Sequence, residues 1–148
     1  MLVHIDDSQS HFEGYKSLLS EFGDTSKYSF MEHKLHVNKA LASDKHTYLF
    51  MKDDKVVGTV TVIFDWKIFH TAFCVHIEDV VVAKSSRGKG FGKGMIQELI
   101  QRLRDLGTVY KIILNCNKSN SFFYSALGFS ENEFEMRLDL DCESRLVM

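Results

Sequence analysis

The stretch from residue 77 to residue 107, IEDVVVAKSSRGKGFGKGMIQELIQRLRDLG, constrains the fold more than any other part of the chain. A run of apolar, β-branched residues leads into a turn where four glycines alternate with three cations and one phenylalanine, Arg87-Gly88-Lys89-Gly90-Phe91-Gly92-Lys93-Gly94. Beyond it Met95, Ile96, Leu99, Ile100, Leu103 and Leu106 share one helical face, and Gly107 is placed as the C-cap. A further strand, YKIILN (110–115), follows at once. Strand, tight turn, helix and strand in succession make a crossover between two parallel strands.

The turn also implies a ligand class. Glycines at a helix start leave N–H groups bare, and the helix dipole adds partial positive charge there. Lys84, Arg87, Lys89 and Lys93 supply cations, with no acid between residues 84 and 94. Phosphate, and pyrophosphate above all, suits such a turn. Spacing separates the phosphate loops. No register supplies a Walker A pattern. A GxGxxG fingerprint started at Gly88, Gly90 or Gly92 puts its third glycine on Lys93, Met95 or Gln97. What stands here is Arg87-x-x-Gly90-x-Gly92. From the glycines alone, a basic surface turn with no ligand is an equal reading; the flanking strand and helix favour the anion site.

The rest of the chain frames this unit. FEGYKSLLSEF (12–22) has helical spacing, and a weaker helical pattern covers about Phe30 to Leu41. TYLFM (47–51) and VVGTVTVIF (56–64) read as a hairpin around KDDK, and CVHIEDVVV (74–82) as a third strand. NSFFYSAL (120–127) reads as a short helix and EFEMRLDL (133–140) as a closing strand. The expected fold is therefore α/β of the α+β type. It is a single domain over residues 1–148, with a mixed, mostly antiparallel sheet, one parallel β-α-β crossover and flanking helices.

Composition excludes several classes. A net charge of −2 gives no reason to expect a nucleic-acid partner. No window approaches the roughly 20 apolar residues of a membrane span, and MLVHIDDSQS lacks the marks of a signal peptide. Cys74, Cys116 and Cys142 form no CxxC pair, which fits free, mostly buried thiols in a reducing cytoplasm. His33 and His36 share a helix face without a visible third ligand, so no metal is expected. Cys116 lacks a sequence-near histidine to make it a nucleophile.

The Arg-x-x-Gly-x-Gly turn between strand and helix resembles the pyrophosphate motif of the GNAT N-acetyltransferase superfamily, whose element order matches the one above. HIEDVVV, RGKGFGKGMIQELI, YKIILNC and NSFFYSALGFS together resemble, more narrowly, the glucosamine 6-phosphate N-acetyltransferases. The similarity is dense from about Val75 to Phe129 and thinner from Gly14 to His70. It implies acetyl-CoA as co-substrate and the amine of D-glucosamine 6-phosphate as acceptor, in UDP-N-acetylglucosamine biosynthesis. The turn residues Arg87, Gly88, Lys89, Gly90, Phe91, Gly92 and Lys93 would hold the pyrophosphate. Val80, Val81 and Val82 would pair with the pantetheine arm, flanked by Asn120, Phe123 and Tyr124. Tyr124 matches the family's N-x-x-F-Y, and its hydroxyl would protonate the leaving thiolate. Glu78 and Asp79 are implied at the aminosugar site. Being adjacent on a strand, they are expected to face opposite ways. Ser20, Lys67, His70 and Arg137 are candidates for the sugar's hydroxyls and phosphate.

Two positions depart from the family pattern. Asn115 stands where relatives carry an acid assigned to positioning or deprotonating the amine, and an amide takes no proton. Asp79, a water relay or an amine that arrives neutral must then serve. Arg137 lies two residues ahead of the arginine expected on the last strand, with Asp139 in its place. The resemblance further implies a homodimer in which the C-terminal strand joins the partner's sheet and Arg137 works in trans. Acetylation of another small amine or a protein N-terminus, or acetyl-CoA binding without turnover, remain open from the residues alone.

Overall fold

The computed structural model describes residues 1–6 and 9–141. Strand β1 (Leu2–His4) precedes two helices, α1 (Phe12–Leu19) and α2 (Phe30–Leu41). Three long strands follow: β2 (Lys45–Lys52), β3 (Lys55–Lys67) and β4 (Ala72–Val82). After the glycine turn come α3 (Phe91–Asp105), β5 (Val109–Leu114) and the short α4 (Ser121–Ser125). The five strands form one sheet in sequence order, antiparallel throughout except for the β4–β5 pair, which is parallel. That parallel pair is the crossover expected from the sequence.

Alternation along the strands divides the core. One face of β3 and β4 presents Val60, Val62, Val75 and Ile77, fully buried beneath Met95, Ile96, Leu99 and Leu103 of α3. Removing each such side chain from water contributes roughly 1.5–3 kcal/mol, so this layer anchors the turn that starts α3. The opposite face is covered only in part. There Leu49 packs against Ile5 and Val37, and a second cluster joins Phe12, Leu19 and Tyr28. The uncovered remainder of that face is where polar side chains collect.

The hairpin turn falls on KDDK as expected: Asp53 and Asp54 both take positive φ, 49° and 60°, the geometry that matches strand twist in a two-residue turn. Helix α1 ends at Leu19, short of residue 22, and α3 starts at Phe91, four residues before the apolar pattern does. The three-residue β1 is too short to show periodicity. The closing strand is a correction. Residues 130–141 form neither strand nor helix, and Phe134, Met136, Leu138 and Leu140 are between 96% and 73% exposed. Alternation is a property of the segment, but a strand also needs a neighbour, and within this chain none of the described strands pairs with it.

Candidate active site

Two helices start in contrasting ways. At α2 the Ser29 hydroxyl accepts from the Glu32 amide while the Glu32 carboxylate accepts from the Ser29 amide, a closed capping box. At α3 the N-cap is Gly90, at φ 80°, and no side chain caps it. A non-glycine residue in that left-handed conformation would be strained. The first-turn amides thus have no partner of their own and face an open cleft. The cleft has a volume of about 630 Å³, in the range of small-molecule sites. Val80, Val81 and Val82 form one wall; Arg87, Gly88, Gly90, Phe91, Gly92 and Lys93 form its end; Asn120, Phe123 and Tyr124 form the other wall. Ser86, which the sequence reading passed over, also lines it, while Lys89 does not.

Tyr124 reaches this cleft from α4, its ring edge-on to Phe123 and Phe129 at 5.0 and 5.9 Å. Burial, reinforced by the neighbouring Cys116, raises its hydroxyl above the usual tyrosine value, so the proton stays on Oη until a stronger base is presented. Cys116 itself is exposed, against the expectation of a buried thiol: β5 ends two residues earlier, leaving it outside the sheet. Cys74 is buried, and Cys142 lies outside the described residues.

The expectation that Glu78 and Asp79 face opposite ways is overturned. Thr59 pairs with Val81 and Thr61 with Glu78, so Val60 is opposed by two residues, Asp79 and Val80. This β-bulge carries Asp79 at φ 51°, and the alternation of the strand breaks there. Aspartate tolerates that conformation better than most residues. Lys45 Nζ lies 3.6 Å from Glu78 Oε2, and its charge also favours the ionised form of Asp79. Protein packed around Asp79 raises its carboxyl despite its open side, Lys45 works against that shift, and Glu78 adds to it. Tyr15 of α1 completes the group. Its hydroxyl is pushed well above the tyrosine range by burial, then by the charges of Tyr28 and Asp79, with nearby Thr47 acting weakly the other way. Thr47 in turn shares a 2.8 Å hydrogen bond with Thr61. No short motif signals Tyr15, Lys45 or Thr47; only the β2–β3 register could have placed Lys45 opposite Ile63, beside β4.

The remaining sequence candidates lie apart from these carboxylates. Lys67 pairs with Asp65, which also has His76 at 4.0 Å. His70 stacks on Tyr110 at 4.2 Å. The Ser20 hydroxyl donates to Ser17 O at 2.6 Å. Asn115 is exposed just past β5. Arg137 pairs with Asp139 at 2.8 Å on the unpaired C-terminal segment. His33 is buried, bonded to the Tyr28 hydroxyl and to Asp6 O; among the described residues no three ligands gather for a metal. No helix among them is long and apolar enough to cross a membrane.

Comparison with known proteins adds to this geometry. The model of the acetyltransferase (GNAT) family matches residues 12–129. A glucosamine 6-phosphate N-acetyltransferase of Candida albicans is 32% identical over 136 residues, 90% of each chain. One from Trypanosoma brucei brucei is 41% identical over 87 residues, and the match spans 58% of that relative's length. A solved Trypanosoma brucei acetyltransferase superposes with a TM-score of 0.84 at 29% identity, covering 95% of this chain and 99% of that one. The glucosamine-6-phosphate N-acetyltransferase of Arabidopsis thaliana gives 0.82 at 24%, which bears on the fold alone.

Proposed function

The chain belongs to the acetyltransferase (GNAT) family, and on that premise we propose that it transfers an acetyl group from acetyl-CoA to the amine of glucosamine 6-phosphate, giving N-acetylglucosamine 6-phosphate for UDP-N-acetylglucosamine synthesis in the cytoplasm. The observation that carries this is a cleft with an uncapped, cation-rich helix start at one end and a proton-holding tyrosine in its wall, and a carboxylate pair, Glu78 and Asp79, directly before its valine wall on β4. The likeness to several glucosamine 6-phosphate N-acetyltransferases supports the acceptor.

Acetyl-CoA supplies the activated thioester. The α3 amides with Arg87 and Lys93 take its diphosphate, and the Val80–Val82 backbone takes the arm. Tyr124 Oη gives its proton to the departing thiolate. Asp79, whose raised pKa makes it a better base than an ordinary aspartate, takes the amine's proton in the absence of an acid at Asn115. Glu78 holds the sugar. Its ion pair with Lys45 is partly exposed on both sides and worth at most about 1 kcal/mol. Lys45 is therefore readily exchanged to the acceptor's phosphate, joined from a second subunit by Arg137.

The apolar side chains of residues 134–140, exposed in the single chain, support a homodimer in which this segment adds a strand to the partner's sheet. Mixing inactive Arg137→Ala and Tyr124→Phe subunits should restore part of the activity; a strictly monomeric active protein would contradict the dimer. The reading as a whole is tested by thiol release from acetyl-CoA over a panel of amines. Release with glucosamine 6-phosphate but little with glucosamine is expected. Release only with other amines would reassign the acceptor, and binding without release on any amine would make the domain a sensor.

A further inference from the structure

We propose that Glu21 is a positioning residue for the cofactor: it holds the Arg87 guanidinium in place at the diphosphate end of the cleft. The glycine turn contains no acid of its own, yet the structure brings one to it from 66 positions away. Arg87 Nη2 donates to Glu21 Oε2 at 3.2 Å, and Lys84 Nζ lies 3.9 Å from Glu21 Oε1. Arg87 Nε donates to Val82 O at 2.9 Å. The guanidinium is thus fixed at two of its five N–H groups, one bond to the β4 backbone and one to α1's end. The other three stay available to an anion, and a planar guanidinium recognises phosphate oxygens two at a time only when its orientation is set.

Glu21 is suited to be the fixed point. It stands just past the Ser20 C-cap of α1, its amide bonded to the carbonyl of the buried Leu18, and its own side chain is only 20% exposed against 49% for Arg87. An arginine left free on the surface would lose rotamer freedom on binding, and the two bonds remove most of that loss in advance. The carboxylate also repels an incoming diphosphate, so orientation and repulsion act in opposite directions. Orientation prevails here because Arg87 is the group in contact with the cleft while Glu21 stands behind it and is not among the residues lining the cleft.

The inference rests on the turn being the diphosphate site, and titration with acetyl-CoA separates the two. Glu21→Ala should weaken binding about tenfold, the scale of one hydrogen bond to a charged group. Glu21→Gln, which keeps an acceptor oxygen, should recover most of it. In an Arg87→Ala background, Glu21→Ala should change affinity by less than about twofold, since its effect passes through Arg87. Turnover of acetyl-pantetheine, which lacks the diphosphate, should be the same in wild type and Glu21→Ala. Wild-type or tighter binding by Glu21→Ala, losses additive with Arg87→Ala, or an equal loss with acetyl-pantetheine would each overturn the proposal. An Arg87→Ala protein with undiminished affinity would overturn the diphosphate reading together with it.

Discussion

The cofactor cleft and the acceptor group that shares β4 with it are encoded in different ways. The cofactor side comes from two short, nearly continuous runs, residues 80–93 and 120–124, in which each residue's neighbour in sequence is also its neighbour in space. The acceptor side gathers Tyr15 from α1, Lys45 and Thr47 from β2, Thr61 from β3 and the carboxylates from β4. A local site tolerates changes elsewhere as long as its own strand and helix form. A gathered site depends on strand register, because a slip of one residue sends every side chain to the other face. The acceptor side should therefore be the more easily altered in specificity, and the cofactor side the more easily abolished.

The largest expected effect breaks the equation of the cofactor side with binding. Tyr124→Phe removes one hydroxyl and leaves the ring contacts with Phe123 and Phe129. Steady-state kinetics should show kcat reduced on the order of 10²-fold with acetyl-CoA affinity nearly intact. A fully active variant would return Tyr124 to a packing role.

A smaller effect sharpens the division. Lys45→Ala should raise KM for glucosamine 6-phosphate about tenfold, as loss of one charge-assisted contact does, while acetyl-CoA affinity and the slow reaction with unphosphorylated glucosamine hold steady. If both acceptors suffer equally, Lys45 serves the carboxylates and not the phosphate.

The smallest is a stability effect at the bulge. Asp79 has its pKa raised mainly by burial, so its neutral form is favoured by folding. Such a group contributes stability below its unfolded pKa and loses that contribution as pH rises through the folded one. Asp79→Asn, which keeps an acceptor and tolerates φ 51°, should melt higher than wild type at pH 7. The difference should vanish below about pH 4, the ordinary aspartate range. A variant less stable at pH 7 would mean that the Lys45 pairing outweighs burial.

This contrast explains what the sequence disclosed. Gly90, Gly92 and the helical face from Met95 to Leu106 lie on one unbroken stretch, so crossover and turn were legible from periodicity and glycine placement. The pairing of Glu78 with Asp79 was misread because a bulge is a property of two strands, and nothing in IEDVVV alone marks it. Lys45 and Tyr15 were missed for the same reason, since they reach the carboxylates through register and through α1 packing. EFEMRLDL has the alternation of a strand and no partner among the described strands, so its pattern was legible and its fate was not.

The turn at the start of α3 is the centre of the account, and Gly92→Val tests it most directly. A Cβ at this position would meet Val82 Cγ2 at 3.4 Å and Phe123 Cζ at 3.6 Å, ordinary van der Waals contacts for that atom. A branched side chain there would stand between the two walls of the cleft. Calorimetric titration with acetyl-CoA should show binding lost or severely weakened in a protein whose circular dichroism and melting match wild type. Wild-type affinity in that folded variant would contradict the assignment of the turn to the cofactor.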